Sequence, residues 1–229
     1  MRINKYISNS GFCSRREAER LIRAGSVTVN GVYPEQNYIV TANDVVLIDG
    51  KPLPVRQRNI YIALHKPVGV VCTNAKTVKK NIADYMNYPE RIFAIGRLDK
   101  DSEGLILLTN DGEIAHKILH SEHDHEKEYI VTVDKPITDV FLNDMAKGVE
   151  ILNTITKPCK VQQVNETTFR IILTQGLNRQ IRRMCKQLNY QVVRLQRIRI
   201  MNINLDGIEY GMWRDLTDSE ILKLKSALN

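Results

Sequence analysis

The segment RIFAIGRLDKDSEGLILLTNDG, residues 91–112, sets two apolar runs, RIFAIGRLD and GLILLTNDG, on either side of a charged stretch where Asp99 and Asp101 alternate with Arg97 and Lys100. Branched apolar runs bounded by turn residues form strands. Asp99 therefore belongs to the loop between two strands, at the mouth of a domain and outside its core. Working outward, IYIALHKPVGVVCT (60–73) reads as a strand bent by Pro67 and Gly69, HEKEYIVTVDKP (125–136) alternates as another, and CKVQQVNETTFRIILTQ (159–175) has the form of a hairpin. TDVFLNDMAKG (138–148) is a helix opened by Thr138 and closed by Gly148. The expected class is α+β, built on a mixed, mainly antiparallel sheet.

An acid at that mouth stands out because the chain is basic, with net charge +7 over 229 residues. From Thr167 to Leu205 there is no Asp or Glu, while Arg170, Arg179, Arg182, Arg183, Lys186, Arg194, Arg197 and Arg199 supply eight cations. Such concentration points to a polyanion, nucleic acid above all. No apolar run approaches the roughly 18 residues of a membrane span, and the N-terminus lacks the apolar stretch of a secretion signal. Cys13, Cys72, Cys159 and Cys185 show no paired spacing. The expectation is a cytosolic protein with reduced, mostly buried thiols and no structural zinc.

In GLNRQIRRMCKQLN (176–189), Asn178 is the expected cap of a helix whose apolar residues Ile181, Met184, Cys185 and Leu188 form one stripe. Arg179, Arg182, Arg183 and Lys186 fall on the opposite side, a cationic face that must meet solvent, RNA or an acidic partner inside the protein. Near the N-terminus, CSRREAERLIRAGSVTVNGV (13–32) begins with Ser14 and Glu17 at capping-box spacing, so a helix starts at Arg15 and stops at Gly25, with Ala18, Leu21 and Ile22 facing inward. Asn30-Gly31 signals a hairpin turn, and DVVLIDGKPL (44–53) adds a strand with Asp49-Gly50. RINKYISNSG (2–11) is a short helix. The stretch after Pro54 has no periodicity, so the division is a small domain over 1–54, a linker over 55–59 and a larger domain over 60–229.

RINKYISNSGFCSRREAERLIRAGSVTVNG (2–31) resembles the S4 RNA-binding domain. The resemblance implies a helical face docked on structured RNA, with Lys5, Arg15, Arg16 and Arg20 on phosphates. GRLDKDSEGLILLTNDG (96–112), KEY (127–129) and GLNRQIRRM (176–184) resemble, in order, the three motifs of a pseudouridine synthase. With the S4 module in front, the chain is similar to the RsuA family and to its branch acting on large-subunit ribosomal RNA. That resemblance implies that Asp99 is the catalytic aspartate, that Tyr129 stacks on a flipped uridine and that Arg182 is the ion-pair partner of Asp99. It further implies that Arg97 contacts or fills the space the base leaves, that Lys100 and Lys127 meet phosphates, and that Arg179 and Arg183 contact RNA. Asp101 has no catalytic counterpart and is expected to stabilise its loop. Isomerising uridine breaks the N1–C1′ bond and joins C5 to C1′, with no redox change, cofactor or metal. Asp99 acts as a nucleophile at C1′ or removes the 2′ proton. The expected partner is ribosomal RNA, with a transfer RNA as an alternative, and the protein is expected to be a monomer without membrane contact.

Other patterns compete. In HKILHSEHDH (116–125), His116, His120, His123 and His125 have spacing that zinc accepts, but a solvated helix end and loop is the simpler reading. A metal-dependent RNA hydrolase would use Asp99, Asp101 and Asp111 as ligands, and a non-catalytic RNA-binding protein would not need Asp99. Trp213 reads as a packing residue. Thr217 and Glu220 form a second capping box, opening a terminal helix, SEILKLKSAL (219–228).

Overall fold

The computed structural model describes residues 1–55, 58–75, 77–119 and 125–228, arranged in two compact units. The first holds Met1–Ile60 with the short segments Tyr88–Ile92 and Asn110–Gly112, and the second holds the remainder. Among the described residues no helix is long and apolar enough to cross a membrane.

The first unit consists of helices α1 (Ile3–Asn9) and α2 (Arg15–Arg23) and a three-stranded sheet of β1 (Val27–Val29), β2 (Val46–Ile48) and β3 (Lys51–Pro52) in that order. Ile3, Ile7, Ala18, Ile22, Val27, Val29 and Ile48 form its core, and Arg15, Arg16, Arg20 and Arg23 stay exposed. Ser14 accepts the Glu17 N–H at 3.1 Å. The capping box is nevertheless only half made, because the Glu17 carboxylate turns to Arg20 at 2.9 Å. The Asn30-Gly31 turn also forms, with Val29 and Val32 exchanging bonds of 2.8 and 3.0 Å, but it does not open the expected hairpin. Asn30 Oδ1 accepts the Val45 N–H and its Nδ2 donates to Asp44, which brings β2 against β1 in place of the residues after Gly31. Asp49-Gly50 does close a hairpin, pairing Ile48 with Lys51.

The second unit is built on a nine-stranded sheet. Its strands are β4 (Tyr61–Lys66), β5 (Phe93–Ile95), β6 (Glu103–Thr109), β7 (Lys127–Val133), β10 (Lys160–Asn165), β11 (Thr168–Leu173), β12 (Val192–Ile200), β13 (Ile203–Asn204) and β14 (Trp213–Asp215); β8 (Glu150–Ile151) and β9 (Thr154–Ile155) form a separate ribbon. The order is β10-β11-β7-β12-β6-β4-β14, with β5 added to β6 and β13 to β12. Among the strand pairs of the described residues only β6–β12 is parallel, so the sheet is mixed and mainly antiparallel as expected. The helices are α3 (Ile82–Met86), α4 (Gly112–Leu119), α5 (Asp139–Lys147), α6 (Gln180–Gln187) and α7 (Asp218–Ser226). Residues of α4 and α7 pack with β4 and β6 in one apolar cluster, and residues of α5 and α6 pack with β7 and β11 in another.

At the parallel contact the backbones come so close that a Cβ on Gly104 (φ +107°) would lie 2.2 Å from the Arg197 carbonyl oxygen. Only glycine fits there. Thr138 caps α5, and Thr217 and Glu220 make the full capping box of α7. Two packing expectations are corrected. Trp213 is 43% exposed, because it lies on the edge strand β14. Of the cysteines, all free, only Cys185 is buried; Cys13, Cys72 and Cys159 sit in connecting segments and are partly exposed.

Candidate active site

The Asp99 loop runs from Gly96 to Ser102 between the antiparallel neighbours β5 and β6. It is pinned from several sides. Leu98 is buried and its N–H donates to Cys72 Sγ at 3.4 Å, the Gly69 N–H donates to the Lys100 carbonyl at 2.7 Å, and the Ser102 N–H donates to the Asp99 carbonyl at 3.1 Å. Beneath it Lys66 is fully buried, with Nζ donating to the carbonyls of Pro67 and Val70 at 2.8 and 3.0 Å. Burial pushes the Lys66 ammonium below its ordinary range, against the opposing pull of Cys72, Asp101 and Asp99.

Helix α6 faces this loop, and its start differs from expectation. Asn178 is not the cap. The cap position is Arg179, in the left-handed region at φ 51°, and the turn is closed by Gln180, whose Oε1 accepts the Leu177 N–H at 3.0 Å. The Asn178 oxygens instead receive the Arg183 guanidinium at 3.0 and 3.2 Å. This late start turns Arg179 toward the loop. Its Nη1 lies 3.5 Å from Asp99 Oδ2, and the two Nη atoms donate to the Asp101 carboxylate at 3.1 and 3.0 Å.

Arg182, expected as the partner of Asp99, makes a different set of contacts. Its Nε is 3.5 Å from Asp101 Oδ2, its Nη2 donates to the Asp101 carbonyl and Ser102 Oγ, and its Nη1 donates to the Val192 carbonyl. The ion pair to Asp99 thus comes from Arg179, and Arg182 braces the loop. Asp101 performs the loop-stabilising part expected of it. Hydrogen bonding from Arg179, aided by the Arg182 charge, holds its carboxyl below the usual range despite some desolvation.

One cavity of about 410 Å³ opens here, lined by Asp99, Arg97, Tyr129, Lys127 and Arg179 among the expected residues, and by Leu98, Leu177, Ile181, Leu195 and Arg197 besides. Lys127 donates from Nζ to the His125 carbonyl at 3.0 Å, and burial lowers its pKa. Lys100, Arg182 and Arg183 are outside the lining. Lys5, Arg15, Arg16 and Arg20 belong to the first unit, with Lys5 half-buried and the arginines exposed.

The cationic excess between Thr167 and Leu205 proves to be partly neutralised from distant strands. Glu128, buried on β7, bonds to Arg170 and, at 2.7 Å, to Arg199. Glu103 accepts from Arg194, and Glu126 pairs with Arg199 at 2.8 Å. Sequence reasoning did not reach Lys66, and it counted Arg197 only as one of eight cations without placing it at the site. For Arg197 a signal existed: alternation in VVRLQRIRI puts it on the same strand face as the core residue Leu195.

Among the described residues no group of three or more His, Cys, Asp or Glu side chains is placed to hold a metal ion. His120 and His123 lie outside the described residues, while His125 is buried with Nε2 3.1 Å from the Lys117 carbonyl. Of the carboxylates a hydrolase would need, Asp101 is taken by Arg179 and Asp111 accepts from Asn59 at 3.3 Å.

Asp99, on a strand-linking loop, thus faces Arg179 and shares one cavity with Tyr129. The family described as RNA pseudouridylate synthase matches residues 60–187, and the S4 domain family matches residues 1–46. The chain belongs to the RNA pseudouridylate synthase family and carries an S4 domain ahead of the synthase fold; it is an RNA pseudouridine synthase. It is 55% identical to the dual-specificity RNA pseudouridine synthase RluF of Salmonella typhi over 97% of this chain and 78% of that one. It is 34% identical to the ribosomal large subunit pseudouridine synthase B of Bacillus subtilis (strain 168), over 98% of this chain and 96% of that one. A crystal structure of a pseudouridylate synthase superposes with a TM-score of 0.72 at 31% identity, covering 98% of this chain and 99% of that one.

Proposed function

We propose that this protein converts a uridine of large-subunit ribosomal RNA to pseudouridine, with a transfer-RNA anticodon uridine as a second substrate of the same site. The observation that carries this reading is the convergence of Asp99, Tyr129 and Arg179 on one cavity whose size suits a single nucleotide. The dual-specificity name of its relatives supports two RNAs sharing one site. The protein acts in the cytosol as a monomer.

A stacked uridine hides C1′, so the base is flipped out at a cost of a few kcal/mol. Stacking on Tyr129 offsets about 1–3 kcal/mol of that. Asp99 then acts at C1′, either as nucleophile or by taking the 2′ proton. The N1–C1′ bond breaks with its electron pair going to the base, the base turns, C5 joins C1′ as any bond from Asp99 to C1′ breaks or the 2′ proton is returned, the C5 proton is lost and N1 takes up a proton. Arg179 supplies the counter-charge to Asp99, and Arg182 fixes the loop through Asp101 and Ser102. Arg97 contacts or fills the space vacated by the base, and Lys100 and Lys127 meet phosphates. The exposed Arg15, Arg16 and Arg20, with Lys5, position the RNA through its backbone.

The decisive experiment is carbodiimide mapping of pseudouridine in ribosomal and transfer RNA from cells lacking this protein, complemented with wild type or with Asp99→Asn. A uridine in large-subunit RNA that is modified with wild type and stays unmodified with Asp99→Asn supports the reading. Persistence of every pseudouridine without the protein, or restoration by Asp99→Asn, overturns it.

A further inference from the structure

Arg197 is a charged residue of the cavity that the scheme above leaves without a task. It lies on β12, is 4% exposed, lines the cavity with Asp99 and stands opposite Tyr129 in the β7–β12 register. Its Nε donates to the Leu105 carbonyl at 2.7 Å, which fixes the guanidinium, while Nη2 is buried with no acceptor among the described residues. The electrostatic neighbours of Arg197 include two more cations, Lys66 and Lys127; burial pushes both below the ordinary lysine range, and the Arg197 charge adds to that. A buried donor without an acceptor, in cationic surroundings, is destabilising by itself. Beside a cavity, the missing acceptor is what enters.

RNA brings two kinds of acceptor, phosphate and base. A phosphate keeps part of its hydration and suits an exposed cation such as Lys100. A base stacked on Tyr129 extends its edge toward the neighbouring strand, where Arg197 stands. In uracil, C4 lies across the ring from N1, and C2 lies across the ring from C5. The carbonyl farthest from the ribose is therefore O4 while N1 holds C1′, and O2 once C5 holds it. A half-turn about the N3–C6 axis exchanges the two, so one fixed donor keeps an acceptor before and after the base turns.

Resting on the reading of this site as the uridine pocket, we infer that Arg197 Nη2 donates to the far-edge carbonyl of the flipped uracil, O4 in the substrate and O2 in the product. A guanidinium only donates, so the amine at C4 of cytosine finds no partner there.

The test uses RNA carrying, at the mapped uridine, either uridine or 4-thiouridine with tritium at C5, because the C5 hydrogen is lost as the new bond forms. Sulfur is the poorer acceptor, so wild type should show kcat/KM lower by roughly tenfold on the 4-thio RNA. Arg197→Met should slow the uridine RNA and narrow the ratio between the two RNAs to within about twofold. Arg197→Lys, which keeps the charge and a donor, should give a ratio between these, and it serves if the methionine variant does not fold. Equal rates of wild type on both RNAs, or an unchanged ratio in the folded variants, would overturn the inference and leave Arg197 a purely structural residue. No tritium release from uridine RNA by wild type would instead overturn the functional reading, and this inference with it.

Discussion

Arg179 holds two carboxylates at once: it grips Asp101 through both Nη atoms and stands 3.5 Å from Asp99. Removing it leaves Asp99 without that counter-charge while Arg182 still holds the loop. Arg179→Ala should therefore lower kcat by roughly 10- to 100-fold, the worth of a charge-assisted contact, with little change in thermal midpoint; single-turnover kinetics beside a melting curve check both. Arg182→Ala should reverse the pattern, lowering the melting temperature through its lost bonds to the Asp101 and Val192 carbonyls. At this scale the sequence was legible for the position of Asp99 in a strand-linking loop, and not for which arginine would face it. Asp99 sits between two apolar runs wherever their ends fall, whereas the direction of Arg179 depends on where α6 begins. Asn178 looked the better cap by residue type. Closure of the turn by the Gln180 side chain moved the start, and with it exchanged the tasks of two arginines one helical turn apart.

Between elements, close contacts set the stability. Gly104→Ala would drive a Cβ into the Arg197 backbone and should cost about 3 kcal/mol or more, read from urea unfolding. The Arg214–Glu220 pair ties α7 to β14 with bonds of 2.8 Å from each Nη, and this guanidinium, helped by the Thr217 N–H, holds the Glu220 carboxyl at about 2, below its ordinary 4.5. A depressed carboxylate stabilises the fold above its unfolded pKa, and the contribution fades as pH falls through the folded value. Glu220→Gln should therefore melt below wild type at pH 7, with the gap closing between about pH 4.5 and about pH 2; calorimetry across that window checks it. The capping box of α7 was readable because both its partners lie within four residues. The pairs Glu128–Arg170, Glu128–Arg199 and Glu103–Arg194 were not, because register joins residues far apart in the chain. An acid-free stretch therefore overstated the free positive charge.

Across the whole molecule, RNA affinity should depend on salt through each unit separately. Replacing Arg15 and Arg16 together by Gln should reduce the slope of log K against log salt by roughly 0.7 per lost phosphate contact on single-stranded RNA, measured by filter binding, and should leave the fold of the first unit intact because both side chains are exposed. The architecture was legible as a small helical module followed by a mixed sheet. The order of the strands was not, since pairing of β1 with β2 depends on the reach of the Asn30 side chain and pairing of β4 with β14 joins the start of the second unit to its far end. That last pairing bears on synthesis. The chain leaves the ribosome at roughly 5–20 residues per second in a fast cell, so the three strands of the first unit are all present early. β4 emerges soon after, but its outer neighbour arrives only when Trp213–Asp215 have been translated. Throughout that interval one edge of the nascent sheet is open to wrong partners, which makes the catalytic half of the molecule the half that a ribosome-bound chaperone has most reason to guard.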